Sequence, residues 1–167
     1  NYYDSGKILT TYWGQTRDSM DSPFVFTLNS NGTTYNVKAK STSISGAVTI
    51  PSTYNGKSVT AIAESGFSKC SNITSITIPS SITSIGDSAF VSCTGLTRLT
   101  IPSSAKTWGD FAFERCSNLS SINIPSGVTR LGYGVFLGCK KLTSITIPNS
   151  VTMIDDSAFQ ACSGLTS

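Results

Sequence analysis

Polar and apolar residues alternate strictly in short stretches of this chain. In Ile73-Thr-Ser-Ile-Thr-Ile78, Ile76 and Ile78 are interleaved with Ser75 and Thr77. Period two marks a strand with one buried face and one wet face. Pro79 follows, removes a backbone donor and ends the ladder. Ile82 and Ile85 then point inward from a second extended piece, ahead of Gly86-Asp87-Ser88-Ala89-Phe90. Asp87 has the chemistry of a helix N-cap, so a short helical turn is expected there, with Ala89, Phe90 and Cys93 on its inner face. Glu64, Asp110 and Asp156 hold the same position in other units.

The pattern recurs. Cys70, Cys93, Cys116, Cys139 and Cys162 are each 23 residues apart, and Phe67, Phe90, Phe113, Phe136 and Phe159 keep the same step. So do Ile62, Ile85, Trp108, Leu131 and Ile154, and so do Pro79, Pro102, Pro125 and Pro148. Independent columns in register over five units mean a repeat architecture. No unit can bury its apolar face alone, so successive units must stack, strand beside parallel strand at about 4.8 Å. The expected fold class is an α/β solenoid: five units and the start of a sixth over 46–167, with short helical turns between the strands.

The ends depart from the period. Pro51 precedes Pro79 by 28 residues, and Asn55-Gly56 in the extra length reads as a turn. Phe24-Val-Phe-Thr-Leu28 and Thr33-Thr-Tyr-Asn-Val-Lys38 alternate around Asn31-Gly32, a hairpin signal. Residues 23–45 are therefore expected to form a β-hairpin cap over the first coil, hiding apolar surface and a strand edge. Residues 1–22 carry Tyr2, Tyr3, Tyr12 and Trp13 without a period and read as an extension or linker. The first residue is not Met and no signal peptide opens the chain, so a processed chain or a fragment is expected. Leu165-Thr-Ser167 begins a further unit, from which a longer array or a removed polar cap is expected.

Composition narrows the chemistry. Of 167 residues only 13% are charged, while 29 Ser and 22 Thr fill the polar positions. Lys and Arg number 12 against 9 acids, an excess too small to predict nucleic-acid binding. No apolar run approaches the roughly 20 residues of a membrane-spanning helix. Histidine is absent. Ser-His-Asp and Cys-His catalysis and histidine-ligated zinc are thereby excluded, and neither an enzyme nor a cofactor is expected.

The uniform spacing and odd number of cysteines favour free thiols filling a core column over disulfides or a metal site. Asp155-Asp156 reads as a capping position beside a solvated neighbour, and Lys140-Lys141 as a solvated corner. Two features are candidates for contact with a partner. The outward strand column Thr49, Thr77, Thr100, Asn123 and Thr146, with Arg98 in the column beside it, either binds a protein or glycan through hydrogen bonds or serves as a solubilising ladder. Phe111 replaces a Ser of the neighbouring unit and Tyr133 an Asp, close to the turns of successive units. They are expected to form one exposed aromatic patch, or else to reflect repacking around Trp108.

The unit Leu-x-x-Ile-x-Ile-Pro-x-x-Val-x-x-Ile-x-x-x-Ala-Phe-x-x-Cys of residues 142–162 resembles the BspA-like, or Treponema-type, leucine-rich repeat. The likeness covers about residues 46–167, and Trp108 and Ala105 depart from the pattern in one unit. It implies a right-handed leucine-rich-repeat array with a parallel sheet on a concave face carrying the Thr column. It further implies a bacterial cell-surface or secreted protein, non-enzymatic, of a family whose members include adhesins for host matrix proteins such as fibronectin and fibrinogen. The family shares no catalytic residues. The function expected from this is protein binding outside the cell, with a structural spacer or a glycan-binding module as alternatives.

Overall fold

The computed structural model describes residues 22–166. The extension expected over 1–22 and the final Ser167 lie, apart from Ser22, outside them. Among the described residues twelve strands are formed: β1 Phe24–Leu28, β2 Tyr35–Ala39, β3 Gly46–Thr49, β4 Thr53–Tyr54, β5 Lys57–Ile62, β6 Ile73–Thr77, β7 Ser84–Ile85, β8 Arg98–Leu99, β9 Thr107–Trp108, β10 Ser121–Ile122, β11 Arg130–Leu131 and β12 Met153–Ile154. The first four coils contribute to two parallel ladders, and the last coil to the second alone. In the first, β3 pairs with β6, β8 lies beside β6, and β8 pairs with β10. The second runs β5-β7-β9 and is continued by the parallel pair β11 and β12. Register advances by one repeat at each step, as in Ile62↔Ile85↔Trp108.

The molecule is thus a β-solenoid, and one expectation needs correcting: among the described residues no helix forms between the ladders. The reason lies in the backbone. Ser88 and Ser92 have φ of 55° and 57°, and the same two positions are left-handed in the other coils, at Ser65 and Lys69, Phe111 and Arg115, Gly134 and Gly138, and Ser157 and Ala161. A helix needs consecutive right-handed residues, so a left-handed one at each end of a five-residue run forbids it. The run folds instead as successive β-turns, with Ala89, Val91 and Cys93 amides donating to Gly86, Ser88 and Phe90 carbonyls at 3.1–3.3 Å. The alternate amides of Ser88, Phe90 and Ser92 donate to Asp110, Ala112 and Glu114 carbonyls of the next coil, each at 2.8 Å. The turn run is therefore a third hydrogen-bonded side. Asp87 caps no helix; its Oδ1 accepts the Asp110 amide of the next coil at 2.9 Å.

Three hydrogen-bonded sides enclose one core. Phe67, Phe90, Phe113, Phe136 and Phe159 stack face to face at 5.5–5.6 Å between centroids, tilted by 6–20°. Beside them the five cysteines are free and buried. Cys93, Cys116, Cys139 and Cys162 each donate the thiol to the Phe carbonyl one coil back, at 3.0–3.2 Å. The column thus carries a weak inter-coil hydrogen bond that an aliphatic side chain cannot make. Trp108 is buried where other coils hold an aliphatic, with Nε1–H donating to the Ala105 carbonyl at 3.0 Å and its ring edge-on to Phe113.

The hairpin β1–β2 pairs antiparallel, and β2 continues the second ladder in parallel with β5. Phe24 meets Phe67 edge-on at 6.2 Å, which joins the hairpin to the aromatic column. The extra residues of the first coil have a packing role. β4 folds back on β5 around Asn55 and Gly56, whose φ values of 47° and 72° suit a tight hairpin. This places Tyr54 stacked on Phe26 at 4.1 Å and edge-on to Tyr35 at 5.2 Å.

Candidate functional site

The first candidate surface is the outward face of the first ladder. Thr49, Thr77, Thr100, Asn123 and Thr146 are all exposed, as is Arg98. Thr77, Arg98 and Thr100 share an open hollow of about 480 Å³ with Ser75, Ser80 and Pro102. Asn123 differs from the rest of its column. Its Oδ1 accepts the Ile101 amide at 2.8 Å and its Nδ2 donates to the Ile101 carbonyl at 2.9 Å. The carboxamide acts as a strand neighbour where the backbone ladder has ended, a role that its place in a Thr column does not reveal.

The second surface lies on the turn run. The rings of Phe111 and Tyr133, from successive coils, meet at 5.3 Å and 65°. Tyr133 is 43% exposed and Phe111 is half-buried. Each is held from the backbone. The Tyr133 amide donates to Asp110 Oδ1 at 3.0 Å, and the same carboxylate receives Arg130 Nη2 at 2.9 Å. Arg130 also pairs with Asp155. Phe111 has φ of +56°, in a column otherwise occupied by Ser or Gly. A bulky residue in the left-handed region is strained by about 1 kcal/mol or more. Gly134 makes room for its ring: a Cβ there would stand 2.6 Å from Phe111 Cε1.

The remaining reactive groups are silenced. Burial, the largest effect, with added repulsion from neighbouring thiols, pushes Cys93 and Cys139 up from 9.0 to about 12 and Cys116 well above 9.0. Such thiols stay protonated at neutral pH and are poor nucleophiles. Among the described residues no group of three His, Cys, Asp or Glu side chains is placed to hold a metal ion. No helix among them is long and apolar enough to cross a membrane.

Comparison with known proteins agrees with the architecture. No curated protein matches the chain. A leucine-rich repeat protein from Eubacterium ventriosum superposes with a TM-score of 0.68 at 27% identity, over 83% of this chain and 40% of its own. A leucine-rich cell surface protein from Faecalibacterium prausnitzii gives 0.58 at 25% identity, over 98% of this chain and 54% of its own. The T. pallidum leucine-rich repeat protein, at 21% identity and a TM-score of 0.56, shares the fold over 87% of this chain and 89% of its own. The chain thus spans about half or less of the first and second of these structures. The BspA type leucine-rich repeat model matches residues 40–166 in six copies. Coil length, the Ile-Pro step, the Phe and Cys columns and this match agree: the chain belongs to the BspA-type leucine-rich repeat family, a class of interaction modules.

Proposed function

We propose that this chain is a non-enzymatic protein-binding module of a bacterial surface or secreted protein, contacting host proteins of the extracellular matrix, and that Phe111 and Tyr133 anchor the contact. The observation that carries the reading is the aromatic pair itself. Five coils present the same turn run, and one coil alone puts a phenylalanine at the left-handed position, against its backbone preference, beside an exposed tyrosine of the next. Strain retained at a surface position where Gly would relax it, as Gly134 does in the next coil, points to a role in contact rather than in packing. Exposed aromatics are the usual anchors of protein interfaces. The surface location rests on the family and on the named cell surface protein among its structural relatives. The hollow around Thr77, Arg98 and Thr100 offers a second, hydrogen-bonding contact.

The test is saturable binding of the chain to immobilised fibronectin and fibrinogen. Tyr133→Ala and Phe111→Ser are each expected to weaken it by about tenfold, as for interface anchors. Equal binding by the parent and both variants, or none by any of them, rejects the reading.

A further inference from the structure

The surroundings of the aromatic pair carry an excess of acidic side chains. Three adjacent columns form the start of the turn run in every coil. They are Ala63, Gly86, Gly109, Gly132 and Asp155; then Glu64, Asp87, Asp110, Tyr133 and Asp156; then Ser65, Ser88, Phe111, Gly134 and Ser157. These fifteen positions hold five of the chain's nine acidic residues and no basic one. Among the rest, Gly, Ser and Ala are too short to cover the carboxylates or the rings. Glu64, Asp87 and Asp156 are exposed. Tyr133 stands in the acidic column itself, one coil after Asp110 and one before Asp156, at about 4.8 Å per step. Arg130 reaches in from the second ladder, and its guanidinium is already held by Asp110 and Asp155. The basic residues Arg115 and Lys140 line a separate hollow at the far end of the turn run.

We propose that the Phe111–Tyr133 face binds a cationic polypeptide segment, with an Arg or Lys side chain seated over the Tyr133 ring between the carboxylates of neighbouring coils. A guanidinium gains twice from this arrangement: its face is attracted to the aromatic ring and its edge to carboxylate oxygens. An acidic segment meets repulsion from the same column. The proposal rests on the protein-binding reading and adds the chemistry of the partner to it.

Three immobilised peptides test it: ten residues of alternating Arg and Gly, the Glu-Gly counterpart, and a Gly-Ser control. The Arg-Gly peptide alone is expected to bind. Tyr133→Ala should weaken it by about tenfold and Asp156→Asn by about threefold, while Lys140→Ala at the far hollow leaves it unchanged. Raising salt from about 0.05 to 0.5 M should weaken it further in the parent than in Asp156→Asn. Equal Arg-Gly binding by the parent and Tyr133→Ala, absence of Arg-Gly binding, or binding of the Glu-Gly peptide overturns the proposal. Matrix-protein binding that depends on Tyr133, beside an Arg-Gly peptide that does not bind, rejects the cationic partner and leaves the protein-binding reading standing. Tyr133-dependent Arg-Gly binding without any matrix binding keeps the cationic partner and rejects matrix proteins as its source.

Discussion

Phe111 shows how one side chain can oppose its own backbone. At φ of +56° it occupies a position where Ser65, Ser88, Gly134 and Ser157 sit in the other coils. Phe111→Ser loses a half-buried ring and leaves a left-handed position that serine already holds in three other coils. Chemical denaturation should therefore shift by no more than about 1 kcal/mol, even as partner binding falls. A large loss of stability would make the ring a packing element. The cysteines give the contrasting case of a residue at ease in its site. Burial raises Cys93 and Cys139 from 9.0 to about 12. The unfolded chain releases those protons near pH 9, whereas the folded chain retains them. Stability is thus complete below about pH 9 and declines as pH climbs toward 12. Melting temperatures taken between about pH 8 and 11 should show this fall, and Cys116→Ala should make it shallower. The repeat of Phe and Cys at 23 residues was readable from the chain alone. The thiol donating to the Phe carbonyl one coil back was not, because it depends on the stacking distance.

At the scale of the element, the strands and both hairpin turns were legible and the helical turn was not. Alternation such as that of Ile73–Thr77 has a single structural solution, and Asn-Gly pairs adopt positive φ without strain. The run from Gly86 to Cys93 carries an N-cap residue and a face of small and aromatic side chains, which fit a helix locally. What decides against it is the next coil, whose carbonyls take alternate amides that a helix would turn inward. The insertion at Asn55-Gly56 follows the same logic: its turn was visible, whereas its role of bringing Tyr54 onto Phe26 and Tyr35 was not. Tyr54→Ala should uncover this cluster and lower stability by about 2–3 kcal/mol, with faster amide exchange in β1 and β2 than in β8 and β10. Uniform loss of protection along the chain would mean that cap and coils unfold as one unit.

The whole molecule is a stack in which each coil is held by its neighbours. The aromatic column, the second ladder and the turn run repeat with little change from Phe67 to Phe159, while the first ladder ends at β10. Phe113→Ala, in the middle of the column, should cost about 3–5 kcal/mol. Across a mutational scan, sensitivity should rise and fall with the repeat, and a scan without that rhythm would contradict the stacked core. Removing whole coils from the C-terminal end should lower stability stepwise, as expected when nearest-neighbour terms dominate. An all-or-none loss on removing the last coil would show coupling across the entire stack.

What the chain determined by itself is therefore whatever depends on periodicity: the coil length, the strand faces, the buried columns and the family. These follow from one residue's neighbours along the chain and one inward direction per strand. Tertiary structure decided whatever depends on the distance between coils. It turned a helix-like run into a third ladder, made Asn123 a strand neighbour, set Phe111 against Tyr133 and placed them in a column with Asp87, Asp110 and Asp156 on neighbouring coils. Residues 23 apart in sequence become adjacent only when coils stack, so their chemistry together is a property of the stack.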